Sequence, residues 1–135
     1  MLAVLAGPLG VSALAVAMQF GLQVPLPRHA GVTIVALLLL APIVEEIVFR
    51  GGVQELLDRT AFGRLALCAD LTVGNVVTSA LFSAAHLISA PAWLAAAVFF
   101  PSLLLGRVKQ LYRSLVPVVL VHASYNACYL CLSAV

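Results

Sequence analysis

The sequence has 135 residues, of which 64% are hydrophobic and only 9% are charged. Soluble domains are close to half apolar and about one quarter charged, so this composition excludes an ordinary soluble domain. Seven Lys and Arg against five Asp and Glu give a net charge of +2, which is too little for a nucleic-acid-binding protein. We therefore expect an all-α integral membrane protein, a bundle of helices whose surroundings are the lipid bilayer.

Apolar segments divide the chain into about five predicted spans, because about 20 apolar residues cross a bilayer. The first span, Leu2–Val24, has no charged residue and lacks the basic start of a signal peptide, so we expect a retained helix. The second begins near Val32 and ends before the polar residues 55–59. The other three are predicted at Thr72–Ser89, Ala92–Leu105 and Leu115–Val135.

The loops set the boundaries and the orientation. We expect Gly106 to end the fourth span, Ser114 to cap the fifth, and the weakly amphipathic Thr60–Leu71 to lie at the membrane surface. Residues 1–30 would be an N-terminal helix and loop, and 31–135 the functional core with four helices. The loops after the second and fourth spans hold most of the cations: Arg59, Arg64, Arg107, Lys109 and Arg113. Because positively charged loops stay on the inner side of the membrane, we expect a multi-pass protein with its N-terminus inside.

Four ionisable side chains fall inside predicted spans, where each costs about 2.5–3.5 kcal/mol and usually marks a functional cavity. Glu45 and His86 each lie roughly 20 Å from the start of their helix, near the middle of the membrane. His122 and Asn126 are four residues apart on the fifth span and so share one helix face. We expect these side chains to converge in one cavity, together with Glu46.

The chemistry of these residues suggests their roles. Glu46 and Arg50 are spaced i, i+4 in the order that favours an ion pair on a helix. Glu45 then remains as the second carboxylate. In a cavity that excludes most water a carboxylate binds a proton more readily, so we expect Glu45 to take a proton from water. A histidine donates or accepts a proton near neutrality, and the Asn126 amide can bind a developing oxyanion. These groups are sufficient for hydrolysis of an amide bond.

Two other classes of protein remain open at this point. His86 and His122 could ligate haem in a helix bundle, although haem would explain neither Glu45 nor Asn126. A non-enzymatic immunity or scaffold protein, which binds a toxin or partner within the membrane, is the second alternative.

Three motifs resemble those of the CPBP family of intramembrane proteases, which includes CAAX-processing endopeptidases and bacteriocin-processing and immunity proteins. Glu45–Gly51 matches E-E-x-x-x-R with the F-R-G ending, Phe82–His86 matches F-x-x-x-H, and His122–Asn126 matches H-x-x-x-N. Each motif alone is weak, but their order on successive helices is specific. The resemblance covers about residues 41–130.

The resemblance implies an intramembrane endopeptidase, a protease in which Glu45 activates water and His86 assists. His122 and Asn126 would stabilise the oxyanion, while Glu46 and Arg50 shape the site. The substrate would be a membrane-associated protein or peptide cut near its C-terminus, and the protein would lie in a bacterial inner membrane. We favour a metal-free, cofactor-free site because asparagine is a poor zinc ligand, although Glu45, His86 and His122 could hold zinc in a metalloprotease.

Overall fold

A computed structural model describes residues 35–68 and 71–133 of the chain. The predicted span Leu2–Val24 and the predicted N-terminal segment 1–30 lie outside the described residues. Of the described residues, 45–118 form one compact unit, and 35–44 with 119–133 fall in a second. Most of the packing described below lies within the unit 45–118.

The second predicted span forms four consecutive helical segments: π1 (Ala36–Leu40), α1 (Ala41–Glu46), π2 (Ile47–Gln54) and α2 (Glu55–Asp58). In a π-helix each N–H bonds to the carbonyl five residues earlier, a wider turn that is rare and occurs frequently at functional sites. The pair Glu45–Glu46 therefore ends a short α-helical segment between two π-helical ones.

A turn and a small hairpin follow. Strand β1 (Ala66–Cys68) pairs antiparallel with β2 (Leu71–Thr72), with Ala66 opposite Thr72 and Cys68 opposite Leu71. The sequence did not predict these strands, since Thr60–Leu71 was expected to be a weakly amphipathic surface segment. All three residues of β1 are exposed, so no buried face imposes an alternating apolar pattern.

The remaining helices are α3 (Val73–His86), α4 (Ala92–Tyr112) and α5 (Val116–Ser133). Helix α5 begins at Val116, one residue later than predicted, and Ser114 Oγ accepts a hydrogen bond from the Val116 N–H at 3.3 Å. The serine thus contacts the start of the helix from two residues before it. The prediction that Gly106 ends the fourth span is wrong, because α4 continues to Tyr112. Arg113, in the left-handed region at φ 51°, ends α4 instead.

Hydrogen bonds fix the direction of each helix within the unit 45–118. Ser83 on α3 donates to the Ala95 carbonyl near the start of α4 at 2.7 Å. Asn75, earlier on α3, donates to the Leu103 carbonyl, later on α4, at 3.0 Å. Helices α3 and α4 therefore run antiparallel. A buried core lies between these elements and contains Phe82, Ala95, Leu105, Val108 and Val118.

One helix among the described residues, α4, is long and apolar enough to cross a membrane. The apolar part of α5, Val116–Cys131, is shorter. Large apolar side chains on the outside of π1, α1 and π2 are more than half exposed, which suits contact with lipid, as seen at Leu39, Leu40, Val44 and Ile47. The helical class of the fold is as expected, and the number of five spans stays a prediction.

Candidate active site

A completely buried ion pair lies at the centre of the first motif. Arg50 Nη1 donates to Glu46 Oε1 at 3.0 Å, and both side chains have no exposed surface. The pair spans one turn between the end of α1 and π2, as the i, i+4 spacing predicted. A buried charge is costly unless it is paired and hydrogen-bonded, so each of these residues depends on the other.

Arg50 is also held by two elements distant in sequence. Its Nη2 donates to Ser102 Oγ at 2.7 Å and to the Ser102 carbonyl at 3.0 Å, both on α4. Its guanidinium carbon lies 4.6 Å from the centre of the Phe82 ring on α3, a cation–π distance. Three helical elements therefore fix the position of one cation.

Phe82 connects the first motif to the second. Its ring is buried, and its centroid lies 4.6 Å from that of His86 on the same helix. It meets the ring of Phe49 edge-on at 4.9 Å. Residues of the E-E-x-x-x-R and F-x-x-x-H motifs are thus joined through Arg50, Phe82 and His86 in continuous contact.

His86 lies at the last turn of α3 and is half-buried. Its Nδ1 is 2.9 Å from the Phe82 carbonyl oxygen. Because a carbonyl oxygen only accepts, Nδ1 carries the proton of the neutral ring and Nε2 carries the lone pair. In this tautomer Nε2 is the nitrogen that can accept a proton.

Glu45 differs from its neighbour Glu46 in burial. Its side chain is half-buried, whereas that of Glu46 is completely enclosed. Consecutive helical residues point about 100° apart, so only one of the two can face the Arg50 and Ser102 contact. The arrangement suits a division between a structural carboxylate, Glu46, and a partly exposed one, Glu45, whose Oε2 is nevertheless buried.

A second polar contact between π2 and α4 repeats the first one helical turn later. Gln54, also without exposed surface, donates from Nε2 to the Gly106 carbonyl at 3.1 Å. The partners Arg50–Ser102 and Gln54–Gly106 are both 52 residues apart, so π2 runs parallel to α4. Gly106 is required here, since a Cβ at this position would overlap the Asn75 amide.

The sequence interpretation missed Ser102, Gln54 and Gly106. A signal for Gln54 was present, because it continues the four-residue spacing of Glu46 and Arg50. Ser102 and Gly106 are small residues four apart on α4, a pattern that lets helices approach closely in membranes. Residue spacing along the sequence does not show which face of α4 packs against π2.

His122 and Asn126 both lie on α5, one turn apart on one face, and His122 is buried while Asn126 is half-buried. They belong to the unit that includes 119–133, whereas Glu45 and His86 belong to the unit 45–118. The convergence of these four groups therefore stays a prediction.

No group of three or more His, Cys, Asp or Glu side chains within residues 35–68 and 71–133 is arranged to hold a metal ion. The zinc alternative through Glu45, His86 and His122 stays a matter for direct measurement.

Two carboxylates of α2, Glu55 at its first residue and Asp58 at its last, have pKa values shifted in opposite directions. Lys109 donates to Glu55 Oε2 at 2.8 Å, and this hydrogen bond lowers the pKa of Glu55. Burial raises the pKa of Asp58, against the opposing effect of hydrogen bonds from Gln54 and Gln110. The polar row Glu46, Arg50, Gln54 and Asp58 therefore ends in a carboxylate whose pKa is raised by burial.

Comparison with known protein families shows where the chain belongs. The family model of type II CAAX prenyl endopeptidase Rce1-like proteins matches residues 27–128, which is well over half of the chain. No significant similarity to a curated protein or to a solved structure was found.

Proposed function

The chain belongs to the Rce1-like family of type II CAAX prenyl endopeptidases, a family of membrane proteases, and we propose that it is a metal-free intramembrane endopeptidase. In this proposal the substrate is a membrane-associated protein or peptide, cleaved near its C-terminus. The bundle has about five spans, sits in a bacterial inner membrane and has its N-terminus inside.

The observation that carries the proposal is the enclosed contact from Glu46 through Arg50 and Phe82 to His86. Burying a cation is costly, and the ion pair, the two hydrogen bonds and the aromatic ring offset this cost and hold Arg50 in one position. Preorganised groups accelerate a reaction because no reorganisation is needed when the charge develops. The neighbouring half-buried Glu45 and His86 are then held in fixed positions.

The reaction follows from the properties of these groups. Glu45 takes a proton from water, and the resulting hydroxide attacks the scissile carbonyl to form a tetrahedral intermediate. The His122 ring and the Asn126 amide donate hydrogen bonds to the oxyanion. As the C–N bond breaks, the proton held by Glu45 passes to the leaving amine, with His86 assisting the transfer. Water is consumed, and one carboxylate and one amine are formed.

A direct test compares cells that produce the wild type with cells that produce Glu45→Gln. This substitution keeps the size of the side chain and removes the base. Membrane proteomics should show one or more proteins with an unprocessed C-terminus in the variant. Val48→Ala is the matched control, because Val48 lies nearby at the start of π2 with half of its surface exposed and should leave processing unchanged.

Identical C-termini in wild type and Glu45→Gln at equal protein levels would overturn the proteolytic mechanism. The non-enzymatic immunity or scaffold alternative predicts that outcome, together with an unchanged phenotype in His86→Ala. A Soret band from the purified protein would instead favour haem ligation by His86 and His122.

A further inference from the structure

The end of the unit 45–118 that contains the hairpin carries most of the cations of this unit. The end of α4 lies beside the start of α3, because Gln110 Nε2 donates to Thr72 Oγ1 at 2.8 Å. The turn after α2, the hairpin and the end of α4 thus form one surface. We call this surface the basic end and define it by its cations: Arg59, Arg64, Arg107, Lys109 and Arg113.

The turn at this surface is held by a frame of hydrogen bonds. Thr60 Oγ1 donates to the Leu57 carbonyl at 2.7 Å and accepts from the Gly63 N–H at 2.9 Å. The Gly63 carbonyl accepts from the Gly74 N–H at 2.9 Å, which fastens the turn to the start of α3. Gly63 itself is enclosed, and a Cβ there would overlap the Leu57 backbone. The turn is therefore fixed at both ends.

This frame holds large apolar side chains outward. Phe62, Leu65 and Leu67 are 61%, 54% and 57% exposed. Tyr112, at the end of α4, is 61% exposed on the same surface. Rigidly exposed apolar side chains indicate a surface that contacts something apolar, and an aromatic ring with a polar tip is typical of the membrane–water interface.

The charges show which apolar partner fits. The basic end has five cations. The sequence sets three carboxylates against them: Glu55, which is paired with Lys109 at 2.8 Å and more loosely with Arg59 at 3.7 Å, the half-buried Asp58, and Asp70 between the two strands. The balance is still positive. The Arg59 side chain is 71% exposed, and Arg113 is also exposed. In contrast, the turn at the opposite end, residues 87–91, contains no charged residue. In an anionic lipid layer, the apolar side chains would contact the acyl chains and the surrounding cations would contact the headgroups.

We propose that residues 60–68 form a membrane-interface anchor that binds anionic lipid. Phe62, Leu65 and Leu67 lie among the upper acyl chains, while Arg59 and Arg113 contact lipid phosphates. Anionic lipid is thereby enriched at the basic end and not at the turn 87–91. This inference does not depend on proteolysis.

Tryptophan fluorescence tests the anchor in the full chain. The sequence has one tryptophan, so Trp93→Phe gives a silent background for the probe Phe62→Trp. The protein is reconstituted in phosphatidylcholine vesicles that contain the same small fraction of brominated phosphatidylcholine or brominated phosphatidylglycerol. We expect both lipids to quench the probe, and phosphatidylglycerol to quench it more strongly, with up to about fivefold enrichment for each cation at the surface.

Two matched variants complete the experiment. The probe Ile88→Trp, at a residue 91% exposed in the opposite turn, should be quenched equally by the two lipids. Arg59→Gln with Arg113→Asn should remove the preference at position 62, and Asn tolerates the left-handed backbone of position 113. Leu67→Trp serves as a second probe if Phe62→Trp does not fold.

The proposal is overturned if the probes at positions 62 and 67 are not quenched by either lipid, because the hairpin then lies outside the bilayer. Equal quenching by the two lipids at these positions would overturn the preference for anionic lipid. Persistence of the preference after both arginine substitutions would overturn the assignment of Arg59 and Arg113 as the residues that contact lipid phosphates.

Discussion

Arg50 and Ser102, 52 residues apart in sequence, are joined by a 2.7 Å hydrogen bond between buried side chains, from Nη2 to Oγ. The same nitrogen donates to the Ser102 carbonyl at 3.0 Å. The first motif is thereby anchored to α4, a helix in which the sequence analysis identified no site residue. Ser102 orients the arginine that neutralises Glu46, so we regard it as a positioning residue.

Ser102→Ala should lower the free energy of unfolding by about 1.5–3 kcal/mol, the range for a hydrogen bond to a charged group. It should also lower kcat while changing KM little, because the Arg50 guanidinium, which orders the site, moves. Ser83→Ala is the control, since Ser83 donates only to a neutral carbonyl on α4. Thermal unfolding and peptide cleavage would measure both effects. Equal losses of stability and of kcat in the two variants would contradict the positioning role.

Removing Arg50 should leave Glu46 as a buried carboxylate without its cation. Loss of one partner of a buried ion pair costs about 3–5 kcal/mol in soluble proteins, and the cost within a membrane is smaller where the stranded group takes up a proton. We therefore expect Arg50→Ala to lower the thermal stability, and Glu46→Gln in the same chain to restore part of it. Absence of any restoration would show that the energetic partner of Arg50 is Ser102 or Phe82 rather than Glu46.

Gly106→Ala should disrupt the close contact of α3 and α4, because its Cβ would overlap the side chain of Asn75. Overpacking of this kind costs about 1–3 kcal/mol. Gly52→Ala is a matched control, since a Cβ there meets only the Ile47 carbonyl at an ordinary 3.7 Å. Circular dichroism during heating should show a lower midpoint for Gly106→Ala alone. Adding Asn75→Ala should recover part of the loss, and no recovery would place the strain elsewhere.

The sequence predicted the parts of this site that depend on local geometry. The Glu46–Arg50 pair needs only a helical turn, and the hydrogen bond of Ser114 at the start of α5 needs only its neighbours. The Ser102 and Gly106 contacts depend on how distant helices pack, which no short-range pattern encodes. Gly106 was misread because glycine is common just after a helix, whereas here the absence of a side chain makes room for Asn75.

The hairpin was missed for a different physical reason. Its strands have three and two residues, and β1 has no buried side, so neither length nor alternation indicates a strand. Its geometry comes from the frame around Thr60 and Gly63, which joins it to α3 through Gly74. The bond between Gly74 and Gly63 depends on how the turn packs against α3, which a short-range pattern does not indicate.

Asp58 should make stability depend on pH. Burial raises the pKa of Asp58, so the folded protein binds this proton more tightly than the unfolded chain does. Its contribution to stability is therefore complete below its ordinary pKa of about 4 and is lost as the pH rises through the folded-state pKa. Asp58→Asn should raise the melting temperature near neutral pH and change it little in acid.

Glu55→Gln provides the opposite case. The hydrogen bond from Lys109 lowers the pKa of Glu55, so its contribution is present above its ordinary pKa and is lost as the pH falls through the folded-state pKa. Glu55→Gln should therefore lower the melting temperature near neutral pH and have little effect in acid. Melting curves recorded from acid to neutral pH would show how the melting temperature of each variant depends on pH. Parallel curves for wild type and Asp58→Asn would contradict the assignment of Asp58.

The last prediction concerns the metal. A metal-free site predicts that cleavage survives prolonged chelation. Asn126→Ala should then lower kcat about 100- to 1,000-fold, the usual effect of removing one oxyanion donor. Zinc held by Glu45, His86 and His122 predicts instead about one zinc per chain, reversible loss of activity on chelation and recovery on adding zinc. Elemental analysis of an active preparation, before and after chelation, decides between them. Stoichiometric zinc with reversible inactivation would make these three residues ligands and would overturn the role of Glu45 as the base, a role that Glu46, enclosed and paired with Arg50, is poorly placed to take over.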